Sequence, residues 1–138
     1  MELRTGEILK ALADETRLRI VSLLLESGSL CACEIEEILQ VNQSNASRHL
    51  TRLRQTGLLA ATRSGTWVHF DIASDQGSDA HWKLVRHTIF LAREENDVLR
   101  NDQAHLAEYR RSGKSCRTIS TGRKRTTRSV GKGYILTK

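Results

Sequence analysis

Three observations predict a mainly α fold with one small β-hairpin. Proline is absent, so nothing forces a break into long helices, and a loop-rich all-β chain is disfavoured. Apolar residues recur at steps of three and four through most of the first 111 positions, the period of amphipathic helices. Two β-prone runs, Gly57-Leu58-Leu59-Ala60-Ala61-Thr62 and Trp67-Val68-His69-Phe70-Asp71-Ile72, flank the polar tetrad Arg63-Ser64-Gly65-Thr66. That arrangement marks a hairpin.

Leu3 to Ala13 reads as a short helix carried by Leu3, Ile8, Leu9 and Leu12. Asp14 is placed to cap a second helix, Glu15 to Glu26, with Leu18, Val21 and Leu25 on its core face and Ser27-Gly28 as its stop. A third helix follows Ser29, with Cys31, Ile35, Ile38 and Leu39 at helical spacing. Val41-Asn42-Gln43 is a turn, and Ser44 is a suitable cap for a fourth helix running to about Gln55 over a stripe of Ala46, Leu50 and Leu53. After the hairpin, Asp79 to Arg111 reads as one long helix whose seam is Trp82, Val85, Ile89, Ala92, Asn96, Leu99, Gln103 and Leu106. A seam of that length exceeds what a small domain covers alone, so it favours a two-fold partner; the alternative is a seam packed on the first helix of the same chain. The expected assembly is a homodimer through the first and last helices.

At 138 residues the chain has room for one compact domain and not for two sizeable cores. Its 22 Lys+Arg against 16 Asp+Glu make a formal charge of +6, but the excess is local. Lys114, Arg117, Arg123, Lys124, Arg125, Arg128, Lys132 and Lys138 all lie in residues 112–138, which hold no acid and show no apolar period. Residues 112–138 are therefore expected to form a basic, disordered tail, which either holds DNA loosely by counterion release or has no role. Residues 1–111, the expected folded domain, hold 14 basic and 16 acidic residues, a net of −2. Inside that body, the 33 residues between Glu37 and Asp71 contain no carboxylate and carry Arg48, Arg52, Arg54 and Arg63, with His49 and His69. Any nucleic-acid contact belongs there. No apolar run approaches the roughly 18 residues of a membrane span, and Met1-Glu2-Leu3-Arg4 does not begin a signal peptide. Three cysteines, at 31, 33 and 116, do not form a secreted disulfide framework. A cytoplasmic protein with thiols to use is expected.

The third and fourth helices, with their short turn, form a helix-turn-helix signal, and the hairpin just after supplies a wing. A recognition helix enters the major groove with its N-terminal residues towards base edges. Here those are Gln43, Ser44, Asn45, Ser47, Arg48 and His49, while Arg52 and Arg54 further along suit phosphates. Arg63 and Thr66 on the wing would meet the backbone or the minor groove.

Four segments carry a resemblance to a known family. Ala11-Leu12-Ala13-Asp14-Glu15-Thr16-Arg17-Leu18-Arg19-Ile20 resembles the opening of the ArsR/SmtB family of metal-responsive repressors. Leu30-Cys31-Ala32-Cys33-Glu34-Ile35 is similar to its third-helix thiolate motif, Gln43-Ser44-Asn45-Ala46-Ser47-Arg48-His49-Leu50 to its recognition helix, and Gly65-Thr66-Trp67-Val68-His69-Phe70 to its wing strand. The likeness covers about residues 5 to 111. It implies a winged helix-turn-helix homodimer that sits on operator double-stranded DNA and leaves when metal binds.

The thiols set their own physical problem. Residues two apart on an ideal helix point about 200° from one another, so Cys31 and Cys33 cannot share an ion within a regular helix. At a helix start the first turn can open, and its unbonded N–H groups favour the thiolate that soft metals require. Binding there would strain a helix packed on the recognition helix, linking ligand to DNA affinity. The resemblance then narrows the ligand. Arsenic-sensing members commonly place a third cysteine where this chain has Glu36, and cadmium/lead sensors add cysteines from an N-terminal arm, where residues 1–30 have none. Cys116 stands as a third candidate ligand, with an uninvolved tail thiol as the alternative. As(III) or Sb(III) is the expected inducer, with a trivalent organoarsenical close behind because two thiolates suffice for it. No structural metal is expected: Asp79-x-His81 resembles half of the family's zinc site, but the positions near Ala92 and Glu95 lack its histidine.

Two other readings stay open. A thiol-based redox sensor or a Cd/Pb sensor would use the same fold. A small thiol enzyme of arsenic metabolism would need Cys-x5-Arg in an oxyanion loop; after Cys116 that spacing falls on Gly122, with Arg123 one residue late. The chain is not expected to be an enzyme.

Overall fold

The computed structural model describes residues 3–115. Its elements are α1 (Thr5–Leu12), α2 (Glu15–Ser27), β1 (Leu30–Cys31), α3 (Ala32–Leu39), α4 (Gln43–Gln55), β2 (Leu59–Ser64), β3 (Trp67–Ile72), α5 (Asp79–Glu95) and α6 (Asp97–Ser112). The mainly α architecture with a small antiparallel sheet is as expected, and so is the order helix, turn, helix, wing.

Local chemistry explains most boundaries. The Asp14 carboxylate accepts the Arg17 amide at 3.0 Å and starts α2, a cap worth about 1 kcal/mol. The side chain of Asn42, rather than that of Ser44, accepts the Asn45 amide at 2.8 Å, so α4 begins at Gln43. Gln40 ends α3 in the left-handed region at φ 58°, which turns the chain sharply into α4. In the hairpin, Ser64 faces Trp67 across a two-residue loop, and Gly65 takes φ 63° at the position where a type II′ turn requires it.

Three expectations are corrected. The sheet has three strands in the order β1-β3-β2, because Leu30 and Cys31 pair with Phe70 and His69. A two-residue strand carries no period of its own, and its pairing is set by the wing. The expected single helix over 79–111 is two helices that meet at Asn96. That residue is extended (φ −126°, ψ 113°), its side chain accepts the Val98 amide at 2.8 Å, and its amide group donates to Glu15 at 2.9 Å. It is an N-cap, not a seam position.

The seam divides accordingly. Trp82, Val85 and Ile89 of α5 and Leu99 and Leu106 of α6 are all buried within the chain, whereas Ala92, Asn96 and Gln103 are only half-buried. Helix α6 folds back on α2 and α3, so the last helix is spent on this chain's own core. Large apolar side chains left exposed among the described residues are Leu9 on α1 and Phe90 and Leu91 on α5.

The core is aliphatic. Ile8, Ile20, Leu23, Leu24, Ile35, Ile38, Leu39, Leu50, Leu53 and Leu58 are essentially inaccessible, with Phe70 the aromatic residue among them. It joins α1, α2, α3 and α4 to the wing and to α5 and α6, so the helix-turn-helix rests on a scaffold fixed from both sides. No helix among the described residues is long and apolar enough to cross a membrane.

Candidate functional site

Helix α4 buries Ala46, Leu50 and Leu53 as expected and turns its opposite face outward. Ser44, Arg48 and Arg52 are exposed; Gln43, Asn45, Ser47 and Arg54 are half-buried; Arg63 and Thr66 are exposed on the wing. Arg48 donates through Nη2 to the Asn45 side-chain oxygen at 2.7 Å, so the two polar residues at the start of the helix orient one another. Among the expected groove residues, all but one thus stand on the outer surface of α4 or the wing.

His49 is the exception. Its residue is 4 % exposed, and its Nδ1 accepts from Arg17 Nη1 at 3.2 Å. Asp14 Oδ1 lies 3.8 Å from the same nitrogen. Arg17 also donates to the carbonyls of Ala11 and Lys10, the open end of α1. One guanidinium therefore ties α1, α2 and the recognition helix together, and His49 is its contact on α4. Burial, and then the Arg48 and Arg17 charges, hold the His49 pKa below its ordinary value against the pull of Asp14. For Asp14 the balance is reversed: burial alone would raise its pKa, but the Arg17 amide and the His49 and Arg17 charges win and lower it.

A pH dependence follows. The native state resists protonating His49 while the unfolded chain does not, so between the ordinary histidine value near 6.5 and the lower folded value the unfolded state binds more protons. Stability is expected to fall as pH drops through that window, at no more than about 1.4 kcal/mol per pH unit from this group. Thermal melts from pH 7.5 to 5 should show this slope, and His49→Asn should flatten it; parallel slopes would remove His49 from the account.

The cysteine pair lies at the other end of the helix-turn-helix. Cys31 and Cys33 are buried, and their sulfurs stand 3.2 Å apart. This is far beyond the roughly 2.05 Å of a disulfide, so the two are not bonded to each other. The 200° problem is solved because Cys31 is outside the helix. It is the N-cap of α3, extended at φ −83° and ψ 163°, while Cys33 is in the first turn. The expectation that Cys31 lies on the third helix is thus corrected: it belongs to β1 and precedes α3. Two sulfurs at this separation subtend about 90° at an atom roughly 2.3 Å from each, a bond length usual for metal thiolates. With both side chains in the thiolate form, this spacing would fit a soft, thiophilic ion.

No third ligand completes a cluster among the described residues. Glu36 is buried on α3, and Cys116 lies outside the described residues.

Residues that sequence reasoning did not single out surround the thiols. Glu34 accepts the Cys31 amide through Oε1 at 3.0 Å and the Tyr109 hydroxyl of α6 through Oε2 at 2.5 Å. Burial first, and then the Glu34 carboxylate and the neighbouring Cys33, hold the Tyr109 phenol far above its ordinary pKa of 10, so it remains a donor. At the other end of α3, Arg19 donates to Asp102 of α6 through two nitrogens at 2.9 Å and to the Leu39 carbonyl at 2.7 Å. These pairs join residues 75 and 83 positions apart, a separation no local pattern records. The Glu34 capping-box signal alone was readable.

The helix-turn-helix and wing are shared with known proteins. Residues 14–61, from the start of α2 into β2, match the family model described as bacterial regulatory protein, arsR family. The arsenical resistance operon repressor of Escherichia coli (strain K12) is 48% identical over 67 residues, 49% of this chain and 57% of that protein. This chain thus spans little more than half the length of that relative. The arsenic resistance transcriptional regulator ArsR2 of Pseudomonas putida is 39% identical over 78 residues, 56% of this chain and 68% of that one. Among solved structures, the homodimeric winged helix-turn-helix DNA-binding domain Mb0332 of Mycobacterium bovis is 30% identical with a TM-score of 0.54, covering 65% of this chain and 79% of that domain. With a relative of this identity covered over more than two thirds of its length, and the helix, turn, helix and wing in place, the chain belongs to the ArsR family of winged helix-turn-helix transcriptional regulators.

Proposed function

We propose that this chain is the repressor of an arsenic-resistance operon, held on operator DNA as a homodimer and released when As(III) or Sb(III) binds Cys31 and Cys33. One observation carries the reading: two buried sulfurs 3.2 Å apart at the point where α3 meets the wing sheet. Cys31 is at once the N-cap of α3 and the strand partner of His69 in β3. A ligand there acts on both DNA-facing elements, the recognition helix through α3 and the wing through β3. The relatives named for arsenical resistance make this ligand class the leading one.

With Cys31 and Cys33 both reduced, as a cytoplasmic thiol pool would keep them, condensation with arsenious acid balances: two S–H and two As–OH groups give two As–S bonds and two waters, leaving one As–OH. A trivalent organoarsenical uses the same two sulfurs with a carbon in the third position. Cys116 remains the candidate for a third sulfur. A cytoplasmic setting suits the mechanism, since thiols stay reduced there.

On the DNA side, Gln43, Ser44, Asn45, Ser47 and Arg48 are the groups offered to base edges, Arg52 and Arg54 to phosphates, and Arg63 and Thr66 to the backbone or minor groove. The buried His49 positions α4. The dimer is assigned to α1 and α5, where Leu9, Phe90 and Leu91 are exposed. A homodimer presents two recognition helices at the spacing of operator half-sites, and a bound ion works by favouring a state in which they no longer match. Residues 1–111 would then carry the whole switch, with 112–138 as a basic appendage.

The test begins with a duplex selected from random DNA by the purified protein. Arg48→Ala is expected to weaken binding to it by about 10- to 100-fold with the circular dichroism spectrum unchanged. Arg52→Ala should weaken binding to all sequences alike and reduce the salt slope by about one. Unchanged affinity of Arg48→Ala at matched salt would reject the recognition-helix assignment. The 3.2 Å separation also favours one second reading, a redox switch in which the two sulfurs react with an oxidant instead of a metalloid.

A further inference from the structure

We propose that Arg17 is a positioning residue for DNA binding: by tying His49 of the recognition helix to the end of α1, it fixes α4 against the dimer-forming elements and so sets the half-site spacing that the homodimer accepts. This rests on the reading of α4 as the recognition helix and of α1 and α5 as the dimer elements, and it adds a residue of α2 to both.

Arg17 is held along its whole length. Its amide is fixed by the Asp14 cap at 3.0 Å, its Nε donates to the Ala11 carbonyl at 2.8 Å, and its Nη1 reaches His49 Nδ1 at 3.2 Å. One side of the guanidinium therefore closes the last turn of α1, and the other meets the middle of α4. His49 follows Arg48 directly in the chain, so the anchored residue is next to a side chain offered to base edges. Helix α5 is fixed to the same frame, because Arg93 donates to the Ser22 hydroxyl and the Ser22 carbonyl of α2, both at 2.9 Å. Helix α2 thus carries guanidinium ties to both dimer elements and to the recognition helix.

Spacing needs direction, and direction comes from these bonds. Ala46, Leu50 and Leu53 hold α4 on the core, but apolar contact is non-directional and tolerates a roll of the helix. A hydrogen bond weakens steeply once its angle is lost, and a planar guanidinium already engaged on α1 cannot follow a rolling His49. Because His49 is buried, breaking the contact leaves its nitrogen without a replacement from solvent. In a two-fold dimer any roll of α4 occurs in both copies and displaces both half-site contacts. Each base pair inserted between half-sites moves one of them by about 3.4 Å and turns it by about 35° around the duplex. A dimer with α4 fixed rejects such a shift, whereas one with α4 free to roll follows part of it.

The test uses the full chain and a series of duplexes built from the selected one, with its two half-sites moved together or apart by one and two base pairs. Anisotropy at fixed salt gives the affinity for each. The parent is expected to lose about tenfold or more for the first displaced base pair, because the second half-site can no longer be engaged together with the first. Arg17→Met keeps the stem but removes the guanidinium, and it should cut that penalty to about threefold or less. His49→Leu leaves Arg17 on α1 and removes only its acceptor on α4; it should do the same, and it decides the matter if Arg17→Met does not fold. His49→Asn keeps an acceptor close to the Nδ1 position and should restore most of the penalty, which an effect of side-chain loss alone would not. A parental spacing profile in His49→Leu, an affinity loss equal at every spacing, or His49→Asn behaving as His49→Leu overturns the role of Arg17. A parent that binds the duplex but is indifferent to spacing would instead sink the dimer reading, and the proposal with it.

Discussion

Cys31→Ser and Cys33→Ser are each expected to bind the operator with nearly unchanged affinity and to stay bound when arsenite is added. Both side chains are buried, and serine is close to cysteine in volume, so the fold should survive each change. What serine lacks is a soft, readily ionised donor at the helix start. With one sulfur left, only one bond to the ion forms. The arsenite concentration needed for half-release should rise at least about 100-fold, the loss expected when one of two bonds that act together disappears. Anisotropy of labelled duplex, titrated with arsenite, reads this directly. A response retained in either variant would reject the thiol pair as the inducer site. Redox sensing, the second reading, makes a different demand: the serine variants would stop responding to peroxide, and the parent would not respond to arsenite.

The second large effect concerns stability. Asp102 is 2 % exposed and accepts two hydrogen bonds from Arg19, whose remaining reach goes to the Leu39 carbonyl. The carboxylate raises the Arg19 pKa, with its hydrogen bond as the leading cause. Asp102→Ala leaves a largely buried guanidinium with half its partners, a class of change that costs about 3 kcal/mol. Set against the 5–15 kcal/mol that typically separates native from unfolded states, this is a drop of roughly 10 °C in the melting temperature. The double variant Arg19→Met/Asp102→Leu should recover part of that loss, because matched apolar side chains replace a buried ion pair at little cost. A melting temperature within about 2 °C of the parent for Asp102→Ala would mean that α6 is not anchored there. Since Arg19 also holds the end of α3, Asp102→Ala should weaken DNA binding more than its stability loss alone predicts.

How far the fold was legible in the sequence can be argued from particular residues. The hairpin was readable because alternation and a Gly-containing turn are local signals, and the strands fall at Leu59–Ser64 and Trp67–Ile72. The recognition helix was readable from Ala46, Leu50 and Leu53, though the cap lay two residues earlier, at Asn42. His49 falls three residues after Ala46 and four before Leu53, so spacing alone could have placed it on the buried stripe. Its polarity drew it to the DNA list instead. The break between α5 and α6 had a signal too. Asn96-Asp97 is a cap followed by an acidic first turn, but Asn96 also fits the step of the seam, and periodicity outweighed capping.

The missing part of the site was of another kind. Glu34 with Tyr109 and Arg19 with Asp102 are long-range pairs between helices that nothing local brings together. Folding α6 back onto α3 is decided by the packing of Leu99, Leu106 and Tyr109 against the core. The thiol motif was readable at once, yet its geometry was not. That the sulfurs meet depends on Cys31 being drawn out of the helix into a strand with β3, and the strand exists only because the wing is beside it.

These positions make the ligand, rather than the fold, the central claim. The most direct test is a panel of inducers on one preparation of the protein–operator complex, followed by anisotropy: arsenite, antimonite, methylarsenite, cadmium, lead, zinc and peroxide. Release by the trivalent arsenic and antimony species at about one equivalent per chain, with zinc and peroxide inert, is the result expected of two thiolates at the start of α3. Release by peroxide or zinc alone, or by none of the seven, would contradict it.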